Sequence, residues 1–153
     1  MAEIEKKLEE LGIELPIAPT PVANYVSTRR CGNLLFLSGA GPIRNGKPTV
    51  TGKLGGELTV EDGYKAARQT GLNLIAQIKR ELGDLDRVKQ FVKVQGYVAS
   101  TPDFIKQPAV INGLSDVLVQ VFGEKGKHTR TAVATPVLPF DTPVEADVIV
   151  EFE

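Results

Sequence analysis

Two stretches with helical periodicity, separated by a strand-like run, restrict the folds open to this chain. In residues 59–82 the apolar side chains recur every three or four positions, and residues 108–122 repeat that spacing. Between them, residues 88–99 alternate in the two-residue period of a β-strand. An amphipathic helix must bury its apolar face, and one sheet face can cover two such helices. The pattern therefore predicts a two-layer α+β domain with both helices on the same side of a sheet.

Signals at the ends of these elements fix their limits. Thr59, followed by Asp62 three residues later, resembles a capping box, and Gly83 is a stop signal for the first helix. Farther upstream, Asn45-Gly46 is typical of a tight hairpin turn. This turn predicts a short strand near residues 49–51.

Four further runs have the composition of strands. Residues 22–28, which include Tyr25, predict a first strand, followed by a turn at 29–33 and a strand at 34–38. The last two runs, 131–138 and 144–152, flank a Pro/Asp-rich break and so predict two neighbouring antiparallel strands. Such a return would bring Arg130 near Glu145 at one end of the sheet.

Residues 1–153 predict one domain, since this length supports a single substantial core. Within it, residues 1–21 form an N-terminal addition, a short helix and then a connector whose prolines bar a helix. The core comprises residues 22–153.

The composition bounds the partners of the protein. A net charge of −1 without a run of Lys or Arg argues against nucleic acid. No apolar stretch reaches the roughly 18 residues of a membrane span, so no membrane partner is expected. The single cysteine rules out an internal disulfide and is compatible with a cytoplasmic location.

Charged side chains next to the terminal strands are the first candidates for a site. Arg130 precedes one strand and Glu145 begins the other, although charges on the outer face of a strand are usually solvated. The only histidine, His128, is interpreted as a solvated loop residue. The Ser38–Pro42 segment lacks the Gly-Lys-Ser/Thr ending of a phosphate loop.

The C-terminal stretch RTAVATPVLP followed by PVE resembles the motif of the reactive-intermediate (imine) deaminase family, also called the Rid or YjgF-like family. Arg130, Leu138-Pro139 and Val144-Glu145 lie in register with that motif. The resemblance extends over most of the chain, from about Val22 to Phe152. Within the family, the chain is similar to a longer subgroup.

The resemblance implies a fold and a site. The fold is a chorismate mutase-like α+β domain with a mixed, mostly antiparallel sheet; three such domains form a homotrimer with a central barrel and clefts between subunits. Arg130 would bind the substrate carboxylate, and Glu145 would lie near the attacking water. The remaining cleft positions implied are Tyr25, Ser38, Gly39, Asn112 and the carbonyl of Ala132.

The activity implied is hydrolysis of 2-imino acids to 2-oxo acids and ammonia, with a small carboxylate metabolite as partner and no metal or organic cofactor. Three alternatives remain open. A non-catalytic trimer that binds small carboxylates would keep Arg130 without turnover. A ribonuclease is disfavoured by the missing basic patch, and a mutase would need cations in addition to Arg130.

Overall fold

The computed structural model describes residues 2–153 and contains three α-helices and seven strands. The helices are α1 (Glu3–Glu10), α2 (Val60–Leu82) and α3 (Gln107–Phe122). The strands are β1 (Thr28–Cys31), β2 (Leu34–Leu37), β3 (Ile43–Arg44), β4 (Lys47–Pro48), β5 (Val88–Ala99), β6 (Thr129–Thr135) and β7 (Val144–Phe152). Five strands form one mixed sheet in the order β1-β2-β7-β5-β6, and β3 pairs with β4 in a separate hairpin.

The core lies between α2, α3 and one face of this sheet, which confirms the α+β arrangement. Ile75 and Ile78 of α2 and Leu114 of α3 are fully buried, as are Val94 of β5 and Val150 of β7. Their apolar faces exclude water from a single shared core. The apolar side chains that recur with helical spacing in the sequence are therefore the ones that the fold buries.

The start and end of α2 follow from its terminal residues. The Thr59 hydroxyl accepts a hydrogen bond from the Asp62 N–H at 3.2 Å, and the Asp62 carboxylate accepts one from the Thr59 N–H at 2.9 Å. This reciprocal pair satisfies two N–H groups that have no partner within the helix. Gly83 ends the helix with φ 78°, a conformation that favours glycine.

The expected pairing of the last two strands is wrong, because β5 lies between β6 and β7. It runs parallel to β6, with Val94 opposite Arg130, and antiparallel to β7, with Tyr97 opposite Glu145. The chain leaves β5 through α3 and returns as a parallel strand, which requires a crossover of this kind. The proline-rich break then carries it past the end of β5 to the other side.

The predicted first strand is also wrong. β1 begins at Thr28, and Arg29 to Cys31 lie within it rather than in a turn. β1 is as long as its pairing with β2, which runs from Thr28 opposite Leu37 to Cys31 opposite Leu34. Tyr25 therefore lies before the strand and not in it. The Asn45-Gly46 turn is confirmed, with φ values of 53° and 76°, but it leads into β4 rather than into residues 49–51.

No described helix covers the other face of the sheet, which we call the open face. It presents side chains at alternate positions of all five strands. Phe36 and Val133 on this face are 41% and 42% exposed. None of the described helices is both long enough and apolar enough to cross a membrane.

Candidate functional site

The Arg130 side chain lies on the helix-covered side of the sheet and reaches α3. Its Nη1 donates hydrogen bonds to Asn112 Oδ1 at 2.8 Å and to Ser115 Oγ at 3.1 Å, and Nη2 makes a longer bond of 3.4 Å to the carbonyl of Pro108. All three acceptors are neutral. No carboxylate within residues 2–153 forms an ion pair with this guanidinium. Arg130 is thus a positioned cation without a counter-ion in the described part of the chain.

His128 holds Ser115 in place behind Arg130. Its Nδ1 lies 2.7 Å from the carbonyl of Gly126, which can only accept, so Nδ1 carries the hydrogen. Nε2 then accepts from the Ser115 hydroxyl at 2.9 Å, which leaves the Ser115 oxygen free to accept from Arg130. Burial lowers the pKa of His128, and nearby Arg130 lowers it further, although the bond to Gly126 opposes both. His128 is therefore not the solvated loop residue that the sequence predicts.

Glu145 lies on the open face, half-buried and without an ion-pair partner among the described residues. Burial raises the pKa of its carboxyl, and the neighbouring carboxylate of Asp147 raises it further. A β-carbon on Gly39 would lie 3.2 Å from the Glu145 carboxyl carbon, so glycine permits this close approach. Ser38 next to it donates from its hydroxyl to the carbonyl of Val26 at 2.6 Å.

A cavity of about 1020 Å³ lies beside Ser38, Gly39 and Glu145. Tyr25, Ser38, Gly39 and Glu145 all line it, so four of the predicted site residues share one space. Residues 14–22, the N-terminal connector, form one of its walls. This role could not be predicted from the sequence, because the prolines of the connector exclude a helix but do not reveal what the extended chain packs against.

The Ala132 carbonyl faces the free edge of the sheet. The N–H of Ser100 donates to the carbonyl of Thr135 at 3.1 Å, which shows that the Thr135 carbonyl points towards β5. Carbonyl direction alternates along a strand, so the Ala132 carbonyl points away from β5. Because β6 is the last strand of the sheet, no strand formed by residues 2–153 of the same protomer pairs with that edge.

Within one protomer the predicted site is divided into two half-sites. The Arg130 half-site, with Asn112 and Ser115, lies on the helix side, and the Glu145 half-site lies on the open face. One half can bind an anion, and the other can exchange a proton with a ligand. No three His, Cys, Asp or Glu side chains of residues 2–153 are grouped so as to hold a metal ion.

A two-layer α+β domain with an open sheet face and these two half-sites has the features of a YjgF-like protein. The family model described as "YjgF/chorismate mutase-like, putative endoribonuclease" matches residues 5–151. The chain therefore belongs to the YjgF/chorismate mutase-like family, the Rid family that its C-terminal motif resembles.

Individual relatives cover most of the chain. Protein TCP17 of Trypanosoma cruzi is 45% identical over 149 residues, which is 97% of this chain and 93% of that protein. A RutC family protein of Pyrococcus horikoshii is 30% identical over 132 residues, covering 86% of this chain and 90% of that protein. The crystal structure of a protein of unknown function from Agrobacterium tumefaciens is 44% identical, with a TM-score of 0.91 over 98% of this chain and 92% of the other.

Proposed function

We propose that this protein is a homotrimeric deaminase, independent of cofactors, that hydrolyses 2-imino acids to 2-oxo acids and ammonia. The observation that carries the proposal is the state of Arg130, a cation held by neutral acceptors and paired with no carboxylate of the described chain. A planar guanidinium of this kind binds a carboxylate through two parallel hydrogen bonds. The carboxylate of the ligand supplies the missing counter-ion.

The division into half-sites supports a site between subunits. Arg130 and the Ala132 carbonyl lie at the β6 edge, whereas Glu145 lies on the open face of the same sheet. A closed rotational assembly brings the edge of one protomer against the open face of the next. In this arrangement Arg130 of one subunit and Glu145 of its neighbour meet at one ligand.

The chemistry requires few groups. Water adds to C2 of the protonated imine, and Glu145 takes the proton that the water loses while the Ala132 carbonyl orients the same water. Return of that proton to nitrogen lets the C–N bond break, and Glu145 takes the remaining hydroxyl proton as the C=O bond forms. That proton passes to the departing ammonia, so the products are the 2-oxo acid and ammonium. Since imines hydrolyse without help in water, positioning and modest proton transfer are sufficient.

The direct test is ammonia release from a freshly generated 2-imino acid, with the spontaneous rate subtracted. A rate above that background that is proportional to protein concentration supports the deaminase. Binding of 2-oxo acids without such a rate would leave a carboxylate-binding protein instead.

Assembly gives a separate prediction. Sedimentation at micromolar concentration is expected to show a species of about three times the 16.5 kDa protomer mass. Phe36→Asp places a charge on the open face and should dissociate it, because a buried unpaired carboxylate is costly. Val119→Asp is the matched control, since Val119 is 37% exposed on α3 and away from that face. A monomeric parent would contradict the proposed site.

A smaller effect is expected at Ser115. Ser115→Ala removes one of the three acceptors of Arg130 and leaves its charge in place. The affinity for 2-oxobutyrate should fall by about threefold to tenfold, the range for one lost hydrogen bond. Calorimetry measures this loss, and Val119→Ala on the same helix serves as the control. Unchanged affinity would mean that Asn112 and the Pro108 carbonyl are enough to orient the guanidinium.

A further inference from the structure

Ser115 directs its hydroxyl out of its own helix. Thr70 of α2 shows the common alternative, since its Oγ1 donates to the carbonyl of Ala66, four residues earlier, at 2.9 Å. In the described chain Ser115 makes no such bond and donates instead to Nε2 of His128, also at 2.9 Å. His128 therefore holds the Ser115 oxygen at its place 3.1 Å from Nη1 of Arg130.

The ring of His128 is itself fixed at its other nitrogen. Nδ1 donates to the carbonyl of Gly126 at 2.7 Å. Gly126 packs against the backbone of α3, where a β-carbon would clash with the carbonyl of Leu118. Burial, with Arg130 nearby, lowers the pKa of His128 below its ordinary 6.5, so the ring is neutral at pH 8. A neutral ring with its hydrogen on Nδ1 presents a lone pair at Nε2.

One end of the Arg130 guanidinium is thereby committed to the protein. Nη1 carries two hydrogens, and Asn112 Oδ1 and Ser115 Oγ accept them at 2.8 Å and 3.1 Å. Nη2 makes only the longer bond of 3.4 Å to Pro108, and no acceptor in residues 2–153 takes the hydrogen of Nε. Because all three acceptors belong to α3, the Nη1 end faces the helix, and the edge formed by Nε and Nη2 faces away from it.

We infer that His128 is a positioning residue for the carboxylate of the ligand. Through Ser115 it keeps Nη1 of Arg130 bonded to α3, so that Nε and Nη2 form the edge that takes the carboxylate. Two parallel N–H groups on one edge of a guanidinium match the two oxygens of a carboxylate. The inference rests on the proposed function, because the orientation of Arg130 matters only if Arg130 binds the carboxylate.

Two replacements of His128 separate the roles of its two ring nitrogens. Asparagine places an amide N–H near the position of Nδ1, so His128→Asn keeps the donor to Gly126 but offers Ser115 no acceptor. Glutamine places its amide oxygen near the position of Nε2, so His128→Gln still accepts from Ser115 but loses the bond to Gly126. The Ser115 hydroxyl is free to turn to its own helix in His128→Asn only.

Calorimetry with 2-oxobutyrate and the full-length protein at pH 8 measures the effect. His128→Asn should weaken binding by about threefold to tenfold, the range for one lost hydrogen bond, and His128→Gln should recover most of the affinity. Melting temperatures without ligand should fall in the opposite order, because only His128→Asn keeps the bond to Gly126. If His128 were only structural, affinity would follow stability in the two variants.

A double-mutant cycle tests whether His128 acts through Ser115. In a Ser115→Ala background, His128→Asn should cause no further loss of affinity, since the bond that it disturbs is already absent. An equal loss in both backgrounds would overturn the inference. So would a His128→Gln variant that binds 2-oxobutyrate as weakly as His128→Asn does.

Magnetic resonance tests the parent protein directly. His128 is the only histidine of the chain, so its ring signals need no further assignment. Nitrogen-15 shifts at pH 8 should report the hydrogen on Nδ1 and the lone pair on Nε2. The Nε–H signal of Arg130, identified by its loss in Arg130→Lys, should move when 2-oxobutyrate binds.

A hydrogen on Nε2 of His128, or an Nε–H signal of Arg130 that ignores bound 2-oxobutyrate, would refute the positioning role. Either result, together with binding of 2-oxobutyrate that depends on Arg130, leaves the proposed function intact. If 2-oxobutyrate does not bind at all, both proposals fall.

Discussion

Replacing Arg130 by lysine is expected to weaken the binding of 2-oxobutyrate by roughly 30-fold to 1,000-fold. Lysine keeps the charge but loses the planar fork, and loss of a bidentate charge-assisted pair costs about 2–4 kcal/mol. It also cannot reproduce the bonds from Nη1 to Asn112 and Ser115 that fix the direction of the guanidinium. Calorimetry at constant pH and salt measures the loss.

The control for this change is Arg68→Lys. Arg68 is an arginine of α2 whose Nη1 donates to Gln120 outside both half-sites, so its replacement should leave 2-oxobutyrate affinity unchanged. If Arg130→Lys and Arg130→Ala both bind 2-oxobutyrate as tightly as the parent, the carboxylate is held elsewhere.

Glu145→Gln should lower the turnover of a 2-imino acid by about 100-fold or more. The amide has nearly the shape of the carboxyl but cannot take a proton from water. A loss of about 100-fold or more is the usual scale of general acid–base catalysis. Arg130 is untouched by the change, so affinity for 2-oxobutyrate should hold. Ammonia release above the spontaneous rate, measured together with calorimetry, separates the two effects.

The pH dependence follows from the raised pKa of Glu145. Only the ionised carboxylate accepts the proton, so the rate should fall on the acid side as pH drops through this pKa, which lies above its ordinary 4.5. Stability has the opposite trend, because the folded protomer binds the proton more tightly than the unfolded chain. The contribution of Glu145 to stability is therefore present below pH 4.5 and is lost as pH rises through the folded pKa. Glu145→Gln should abolish the acid limb of the rate and the contribution of Glu145 to the pH dependence of stability.

Asp147→Asn provides the matched control, since Asp147 follows Glu145 on the same face and burial raises its pKa as well. It does not line the cavity, so turnover at neutral pH should persist. Removing its charge should also move the acid limb of the Glu145 profile to lower pH. A Glu145→Gln rate equal to that of the parent would refute the role of Glu145. A parent with no rate above the spontaneous background would refute the deaminase and leave a carboxylate-binding trimer.

The helices could be predicted from the sequence because their signals are local. Thr59 and Gly83 specify the ends of α2 through bonds to residues a few positions away, and the apolar spacing determines which face is buried. The Asn45-Gly46 turn is local in the same way. Each of these features depends on backbone conformation and not on distant partners.

Strand partners could not be predicted in this way. A two-residue alternation shows which side chains share a face, but the neighbouring strand is chosen by the tertiary fold. The break after β6 has the composition of a hairpin turn, yet β5 separates β6 from β7. Consequently Arg130 and Glu145, which were expected at one end of the sheet, lie on opposite faces.

The surroundings of the site depended on similar long-range contacts. His128 meets Ser115 across 13 positions, and Arg80 meets Ala18 across 62. In the sequence, Gln77 cannot be told from an exposed polar residue of a helix, and only the fold shows that it is buried. Family resemblance named the residues of the two half-sites, but their neighbours required the three-dimensional arrangement.

The path of the connector over the cavity does not depend on the side chains that the connector carries. Its path over the cavity is held by hydrogen bonds from Arg80 to backbone carbonyls, and these do not depend on which side chains the connector carries. Ile17 and Val22 in this segment are 95% and 81% exposed, so their replacement disturbs little of the core. A substitution in this segment therefore changes the side chains that line the cavity, while the backbone that forms its wall keeps its path.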